Sequence, residues 1–297
     1  MRSGWAGLLV TTCLCGSAFA QSVPAQGVVE NVVVSAQKRS QKVQDIPISI
    51  NVLDSKKLAK LDVRRSDELA QYVPAVQIAL PAGVGNQPLI NIRGIGLNDT
   101  NTNNAGPNGV YVDEVYQSTP AGQTFQTFDL SRVEVLKGPQ GTLYGRNTTG
   151  GAINYITAKP TDDFYASEDI QYGSFNTVSS ESVINGRIAP KVDGRLAIFY
   201  DYADGFFKNL NNGKVTNGAN DLAFRGQLKV EATDDLTLLF NAHGGIVNRR
   251  PDEYKQVGTL TQALFGTQCG NAAILAGQCV DVYGYSAPKG FYDGRYN

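Results

Sequence analysis

Histidine, methionine and tryptophan occur once each in 297 residues. The single histidine, His243, lies in a strand-like stretch with no cysteine or second histidine near it. That argues against an imidazole-built metal centre and against a dedicated heme or copper site. Charge is also scarce: Asp, Glu, Lys and Arg make up 18% of the chain, against about 25% in soluble domains. The formal net charge of -1 leaves no electrostatic footprint for nucleic acid. No stretch approaches the roughly 20 consecutive apolar residues that a membrane-spanning helix needs. No nucleophile, acid–base pair or metal cluster converges in the sequence, so an enzyme finds no support. Glycine (32) and tyrosine (14), by contrast, are plentiful.

Residues 1–20 have the layout of a secretory signal peptide: basic Arg2, an apolar run from Ala6 to Cys15, and Ala18-Phe19-Ala20 as a small-x-small cleavage site. Thr12 and Leu14 are poor residues to precede a lipidated cysteine. Removal of this leader takes Cys13 and Cys15 with it and leaves Cys269 and Cys279, ten residues apart in a Gly-rich segment. In an exported protein such a pair predicts a local disulfide.

After a polar linker, Val32-Val33-Val34 and Ile46 to Leu53 form β-branched, strand-like runs. Asp54 can cap a short helix with Leu58 and Leu61 on one face. Ser66 can cap a second, with Leu69 and Val73 on one side and Pro74 ending it. From Pro88 to Pro160 short strands alternate with Gly/Asn turns, so residues 43–160 predict a small mixed α/β domain.

Beyond Pro160 the texture changes. Leu222, Phe224, Leu228 and Val230 alternate with Arg225, Gln227, Lys229 and Glu231, and "LAIFYDY" and "LTLLFNAH" alternate less strictly. Strands of about 9–11 residues with this pattern suit a transmembrane β-barrel; a soluble sheet with one wet face gives the same alternation. Connection lengths favour the membrane. "APKVDGR" and "TDD" are tight, whereas "DGFFKNLNNGKVTNGAND" and everything after Asn248 are long, as in barrels with short periplasmic turns and long external loops. The short "GSFN" breaks this trend. About five strands are predicted; an open edge in hydrocarbon strands backbone polar groups, so residues 161–297 are expected to begin a barrel that a longer chain completes.

The run "VLKGPQGTLYGRNTTGGAINYIT" tests a competing idea, a phosphate cradle. A P-loop needs G-x-x-x-x-G-K-[ST], but Gly145 is followed by Arg146-Asn147. "RGIG" at Arg93 continues to Asp99 instead of a third glycine, and a loop follows where a dinucleotide site needs a helix. The glycines are instead expected to serve turns, with positive φ at Gly145 and Gly150-Gly151, and Gly138-Pro139 stopping a strand.

"RVEVLKGPQGTLYGRNTTGGAINYIT", with "NIRGIG", "GVYVDEVY" and "QDIPISINVL", resembles the plug domain of TonB-dependent outer-membrane receptors. "ENVVVSAQKR" resembles their TonB box. The resemblance covers Glu30 to Pro160, and the later strands are similar to the start of the family's barrel. It implies a transmembrane antiparallel β-barrel of about 22 strands, incomplete here, with an N-terminal mixed α/β plug. It also implies a Gram-negative outer membrane, with lipid around the barrel. Residues 21–42 would be a periplasmic segment holding the TonB box, Glu30, Asn31, Val32, Val33, Val34, Ser35 and Ala36. This box would pair by strand addition with a TonB-type periplasmic energiser protein, because an outer membrane has no ATP. The valines also read simply as the first plug strand.

The resemblance further implies plug–barrel contacts through Arg93 and Lys137, with Arg146 a weaker candidate, each facing barrel acids expected beyond Asn297. It points to ligand-facing plug loops at Asn98, Asp99, Asn101, Asn103 and Asn104, and at Gln117, Gln123 and Thr124. Function follows as active import of a small-molecule cargo, with no resident cofactor or metal of the protein's own. The family's commonest cargo is a ferric siderophore; cobalamin and oligosaccharides are the alternatives, and a non-energised porin or adhesin is the rival class. The short distance from leader to TonB box leaves no space for an added signalling domain.

Overall fold

The computed structural model describes residues 33–34, 38–39, 41–81, 83, 87–99, 101, 103–250, 258–286 and 293–294. The leader, and Glu30, Asn31, Val32, Ser35 and Ala36 of the TonB-box-like segment, lie outside these. Two short strands come first, β1 (Val33–Val34) and β2 (Gln41–Lys42), paired antiparallel. Next come β3 (Ser49–Asp54) and α1 (Ser55–Lys60). Asp54 caps α1 by accepting the Lys57 N–H at 2.7 Å, and Leu58 turns into the core. The second helical turn, a 3₁₀ segment over Ser66–Gln71, is capped differently from the sequence reading. Glu68 accepts the N–H groups of Arg64 (2.9 Å) and Arg65 (3.2 Å). Ser66 is buried instead, donating to the Gln123 carbonyl at 2.9 Å and accepting from the Phe125 N–H at 3.2 Å.

The plug is built on two sheets. A small antiparallel one holds β4 (Val76–Ala79), β5 (Leu89–Ile92) and β6 (Ile95–Gly96) in that order. The larger contains β3 with β7 (Asn108–Val112), β8 (Val115–Tyr116), β9 (Leu130–Lys137) and β10 (Gly151–Thr157). Its order is β3-β9-β10-β7-β8, with β10 and β7 parallel. Period-2 alternation puts Val133, Val135, Ile153 and Tyr155 on one face. There they bury against Leu53, Leu58, Leu69 and Val73, which places the plug core.

Within the glycine run, the turn carries a short helix α2 (Gly141–Tyr144) ended by Gly145 at φ 89°, where left-handed backbone favours glycine. Gly150 and Gly151 depart from the expectation: neither has positive φ, and both are sites of close approach. A Cβ on Gly151 would come to 2.4 Å of the Leu136 carbonyl and 2.9 Å of Ile92. Gly151→Val is therefore expected to destabilise the plug by about 1–3 kcal/mol or more, as overpacking against backbone does. A calorimetric scan of the protein that showed no lowered transition would contradict this.

The second half is an antiparallel sheet of β11 (Tyr165–Gly173), β12 (Thr177–Ala189), β13 (Val192–Ala203), β16 (Ala219–Glu231) and β17 (Thr237–Val247). The excursion between β13 and β16 carries β14 (Phe207–Asn209) and β15 (Val215–Thr216); β14 also pairs with β18 (Asp293–Gly294). A five-residue helix, α3 (Asn271–Leu275), lies in the last described loop between Cys269 and Cys279, which are bonded as a disulfide. No helix among the described residues is long and apolar enough to cross a membrane, which says nothing of strands.

The polarity of the sheet is inverted relative to a soluble protein. On β16, Asp221 (0% exposed) and Arg225 (6%) are buried, while Leu222 (44%) and Phe224 (48%) between them are exposed. The same phase puts Ile184, Leu196 and Ile198 outward. A soluble sheet with one wet face would bury the apolar set, so the alternation resolves in favour of a lipid-facing wall.

Candidate functional site

The buried polar face of the wall is covered by the plug. The strap Gln126 to Leu130, which leads into β9, lies along it. Phe128 stacks on Phe199 of β13 with ring centroids 5.8 Å apart, packed among Val183, Ala197 and Ala223. The Arg225 guanidinium sits 4.6 Å from the Phe128 ring centroid and donates to the Phe128 carbonyl at 2.9 Å. The next residue, Asp129, takes φ 51°. Its carboxylate accepts from Arg195 of β13 through both Nε, at 2.9 and 3.1 Å, and Nη2. The Asp129 N–H donates to Glu181 of β12 at 2.9 Å.

Toward the start of β16 the pattern continues. Gln126 donates to Asp221 at 3.1 Å; Arg249 donates to Asp221 at 2.7 Å and to Asp201 at 2.9 Å. Arg64 of the plug lies 3.7 Å from Asp201 and also donates to Gln171 of β11. Farther along, Gln227 donates to Thr157 at 2.9 Å. The wall thus supplies a row of charges, Asp221, Arg225, Arg195, Glu181 and Asp201, that meet polar groups of the plug. Burial of these pairs makes them costly to break singly while leaving the interface polar enough to rearrange.

The fit is incomplete beside this strap. A cavity of about 730 Å³ opens between α1, residues 127–132 and 156–161 of the plug and the inner faces of β11 to β13. Asp62, Arg132, Lys159, Ser167, Asp169 and Glu181 are among the residues that line it.

Arg93, Lys137 and Arg146 make no ion pair among the described residues, so the acids expected for them are not found there. Arg93 occupies the β5–β6 turn at φ 54°. Lys137 donates to the Pro74 carbonyl at 2.9 Å. Partial burial, together with the nearby Arg93 charge, holds the Lys137 ammonium below its usual range. Arg146 is exposed just after α2. The plug–wall ion pairs observed run in both senses: the plug acid Asp129 meets the wall base Arg195, and the plug base Arg64 lies 3.7 Å from the wall acid Asp201. Sequence reading missed Asp129, Glu181, Arg195, Asp221, Arg225 and Arg249. For Glu181, Arg195, Asp221 and Arg225 the available signal was charge on the polar face of an alternating strand; Asp129 and Arg249 lie outside the strands.

The predicted ligand-facing loop is partly self-satisfied. Asp99 accepts from the Asn101 N–H (2.9 Å) and from Asn104 Nδ2 (2.6 Å), and these bonds, in that order, lower its pKa. Asn101 accepts from the Asn103 N–H at 3.0 Å. These are Asx turns, which shape the loop; the side chains of Asn98 and Asn103 stay exposed. In the second loop Gln117 donates to the Val115 carbonyl at 3.1 Å and Gln123 to the Gln117 carbonyl at 3.1 Å. Thr124 corrects the expectation: it is buried, its hydroxyl turned to the Ala121 carbonyl at 3.4 Å, so it presents no open face to a ligand.

Of the TonB-box-like segment, Val33 and Val34 are described. Val34 pairs with Gln41 and is 0% exposed, while Val33, opposite Lys42, is 46% exposed.

Comparison with known proteins agrees with this architecture. Residues 42–152 match the family described as TonB-dependent Receptor Plug Domain. The chain is 33% identical to the pesticin receptor of Yersinia pestis over 147 residues, 48% of this chain and 21% of that protein. It is 29% identical to the metal-pseudopaline receptor CntO of Pseudomonas aeruginosa over 196 residues, 61% of this chain and 26% of that receptor. The crystal structure of the ferric yersiniabactin uptake receptor from Yersinia pestis superimposes with a TM-score of 0.60 at 26% identity, covering 67% of this chain and 31% of that one. The chain therefore spans between 21% and 26% of the curated relatives named. Residues 42–152 thus carry the plug domain of TonB-dependent receptors, seated on an inverted-polarity sheet, in a chain similar to outer-membrane receptors.

Proposed function

We propose that this chain is the plug and first wall of an energised importer that takes up a ferric siderophore or a closely similar metal chelate. The observation that carries the reading is the plug's polar anchoring to a wall whose apolar face points outward. A passive pore needs no inserted domain tied down by rearrangeable ion pairs. The edges β11 and β17 carry backbone groups that hydrocarbon does not tolerate unpaired. On this reading further strands close a barrel of about 22, and a TonB-type periplasmic protein captures the segment around Val33. The names of the relatives, a ferric yersiniabactin uptake receptor and a metal-pseudopaline receptor, support metal chelates as the cargo class. Neutral amides at Asn98 and Asn103 suit a polar chelate.

The test is a binding and uptake panel on the full-length receptor in outer membranes, comparing ferric siderophores, cobalamin and oligosaccharides. Saturable binding and energy-dependent uptake of a ferric chelate alone is the expected result. Uptake of cobalamin or a sugar instead overturns the cargo assignment, and energy-independent flux of all three overturns the importer.

A further inference from the structure

The hairpin between β7 and β8 turns through two residues, Asp113 and Glu114, with φ 47° and 70°. That is the type I′ geometry, which selects Asn-Gly or Asp-Gly because the second position has positive φ. A glutamate there is strained, and strained non-glycine residues persist where surrounding contacts hold them. Both side chains have partners. Glu114 accepts from Lys38 Nζ at 3.2 Å, and that ammonium also lies 5.0 Å from the Tyr144 ring centroid. Tyr144 is itself fixed: it is buried, Tyr111 packs edge-on at 5.0 Å, and the Tyr111 hydroxyl donates to the Tyr144 carbonyl. Lys38 is likewise left-handed, at φ 58°, and follows the buried Val34 by four residues.

Asp113 reaches the other way. It accepts from Lys159 Nζ at 2.6 Å, from the Thr157 hydroxyl at 2.6 Å and from the Thr157 N–H at 3.0 Å, where the chain leaves the plug for the wall. Asn241 of β17 approaches it at 3.4 Å. One strained turn therefore holds the segment beside Val34 with one side chain and the plug's exit with the other.

We propose that the Asp113–Glu114 turn is a positioning joint: Asp113 fixes it to the plug's exit, and Glu114, through Lys38, keeps the Val33–Val34 strand docked. The inference rests on the reading of Val33–Val34 as part of the energiser-binding segment. An exposed ion pair alone contributes little. Here it acts with a cation–π contact, so the joint is a weak latch that a modest pull can open.

The test places Val34→Cys in the full-length receptor and follows its labelling by a polar maleimide in isolated outer membranes, with Ser118→Cys as an exposed control. Lys38→Ala should speed Val34→Cys labelling by about five- to ten-fold, the combined worth of the two weak contacts, and Glu114→Gln and Glu114→Gly, which remove the ion pair alone, by about two- to five-fold. Labelling of Ser118→Cys should not change. The swap Lys38→Glu with Glu114→Lys should bring the rate back toward that of the unaltered pair. Unchanged labelling in Lys38→Ala and Glu114→Gln overturns the joint, as does a parallel rise at Ser118→Cys, which signals general loosening. Labelling needs neither cargo nor energiser. A receptor that imports nothing yet shows the rise keeps the joint and loses the importer; normal import without the rise does the reverse.

Discussion

Arg195→Ala is expected to loosen the plug from its wall by about 3–5 kcal/mol, the usual cost of removing one partner from a buried pair. The side chains concerned are nearly shut off from water: Asp129 is 3% exposed and Arg195 12%. Without the guanidinium the Asp129 carboxylate stays where it is, beside Glu181, which its own N–H meets at 2.9 Å. Two acids then share one desolvated site, with Arg225 of β16, which donates to the Phe128 carbonyl, the base left beside them. Truncation also strips a planar fork that bonds Asp129 through Nε and Nη2, a geometry lysine does not reproduce. The loss should appear as a lowered calorimetric transition of the purified receptor and as faster proteolysis of the Gln126–Leu130 strap. Adding Asp129→Asn to Arg195→Ala should recover part of the loss, because the amide removes the stranded charge. An Arg195→Ala receptor with unchanged transition and unchanged proteolysis would contradict the anchoring described above.

The reach of the sequence is clear from the same residues. Arg225 and Phe224 announce an amphipathic strand by alternation alone, and the tight turns near Lys191 and Asp234 orient it. Asp54 before "SKKL" announces its helix cap, and the cysteine pair its loop. The partners across the interface were not legible. Asp129 and Arg195 are 66 residues apart, and which base meets which acid depends on how the plug is seated and on strand register. A one-residue slip would turn Arg195 outward and Leu196 inward. Ser66 shows a related limit: its hydroxyl suits a cap, but a loop 57 residues away competes for it and wins. Gly150 and Gly151 are glycines because of neighbours, Asn108, Ile92 and the Leu136 carbonyl, that approach them only in the folded sheet. Arg93 and Lys137 are conspicuous as charges in a Gly-rich context, but the acids expected for them lie beyond Asn297, and the described strands pair with the Gln126–Leu130 strap.

The other large effect concerns the N-terminal strand. Strand addition rests on backbone N–H and C=O groups, so a proline at position 33 removes a donor that no side chain can replace. Val33→Pro would also disturb the local pairing of β1 with β2, in which Val33 lies opposite Lys42. Lys42→Pro separates the two effects. Lys42 already sits at φ -69°, which proline adopts readily, and the substitution perturbs the same hairpin while leaving the Val33 strand intact. Lys42→Pro should retain uptake, whereas Val33→Pro should not.

The most direct measurement of energised import is therefore uptake of the bound ferric chelate by cells carrying the full-length Val33→Pro receptor, with surface binding measured in parallel. Undiminished binding with uptake reduced to background is the predicted result. Uptake at the level of the unaltered receptor would contradict it.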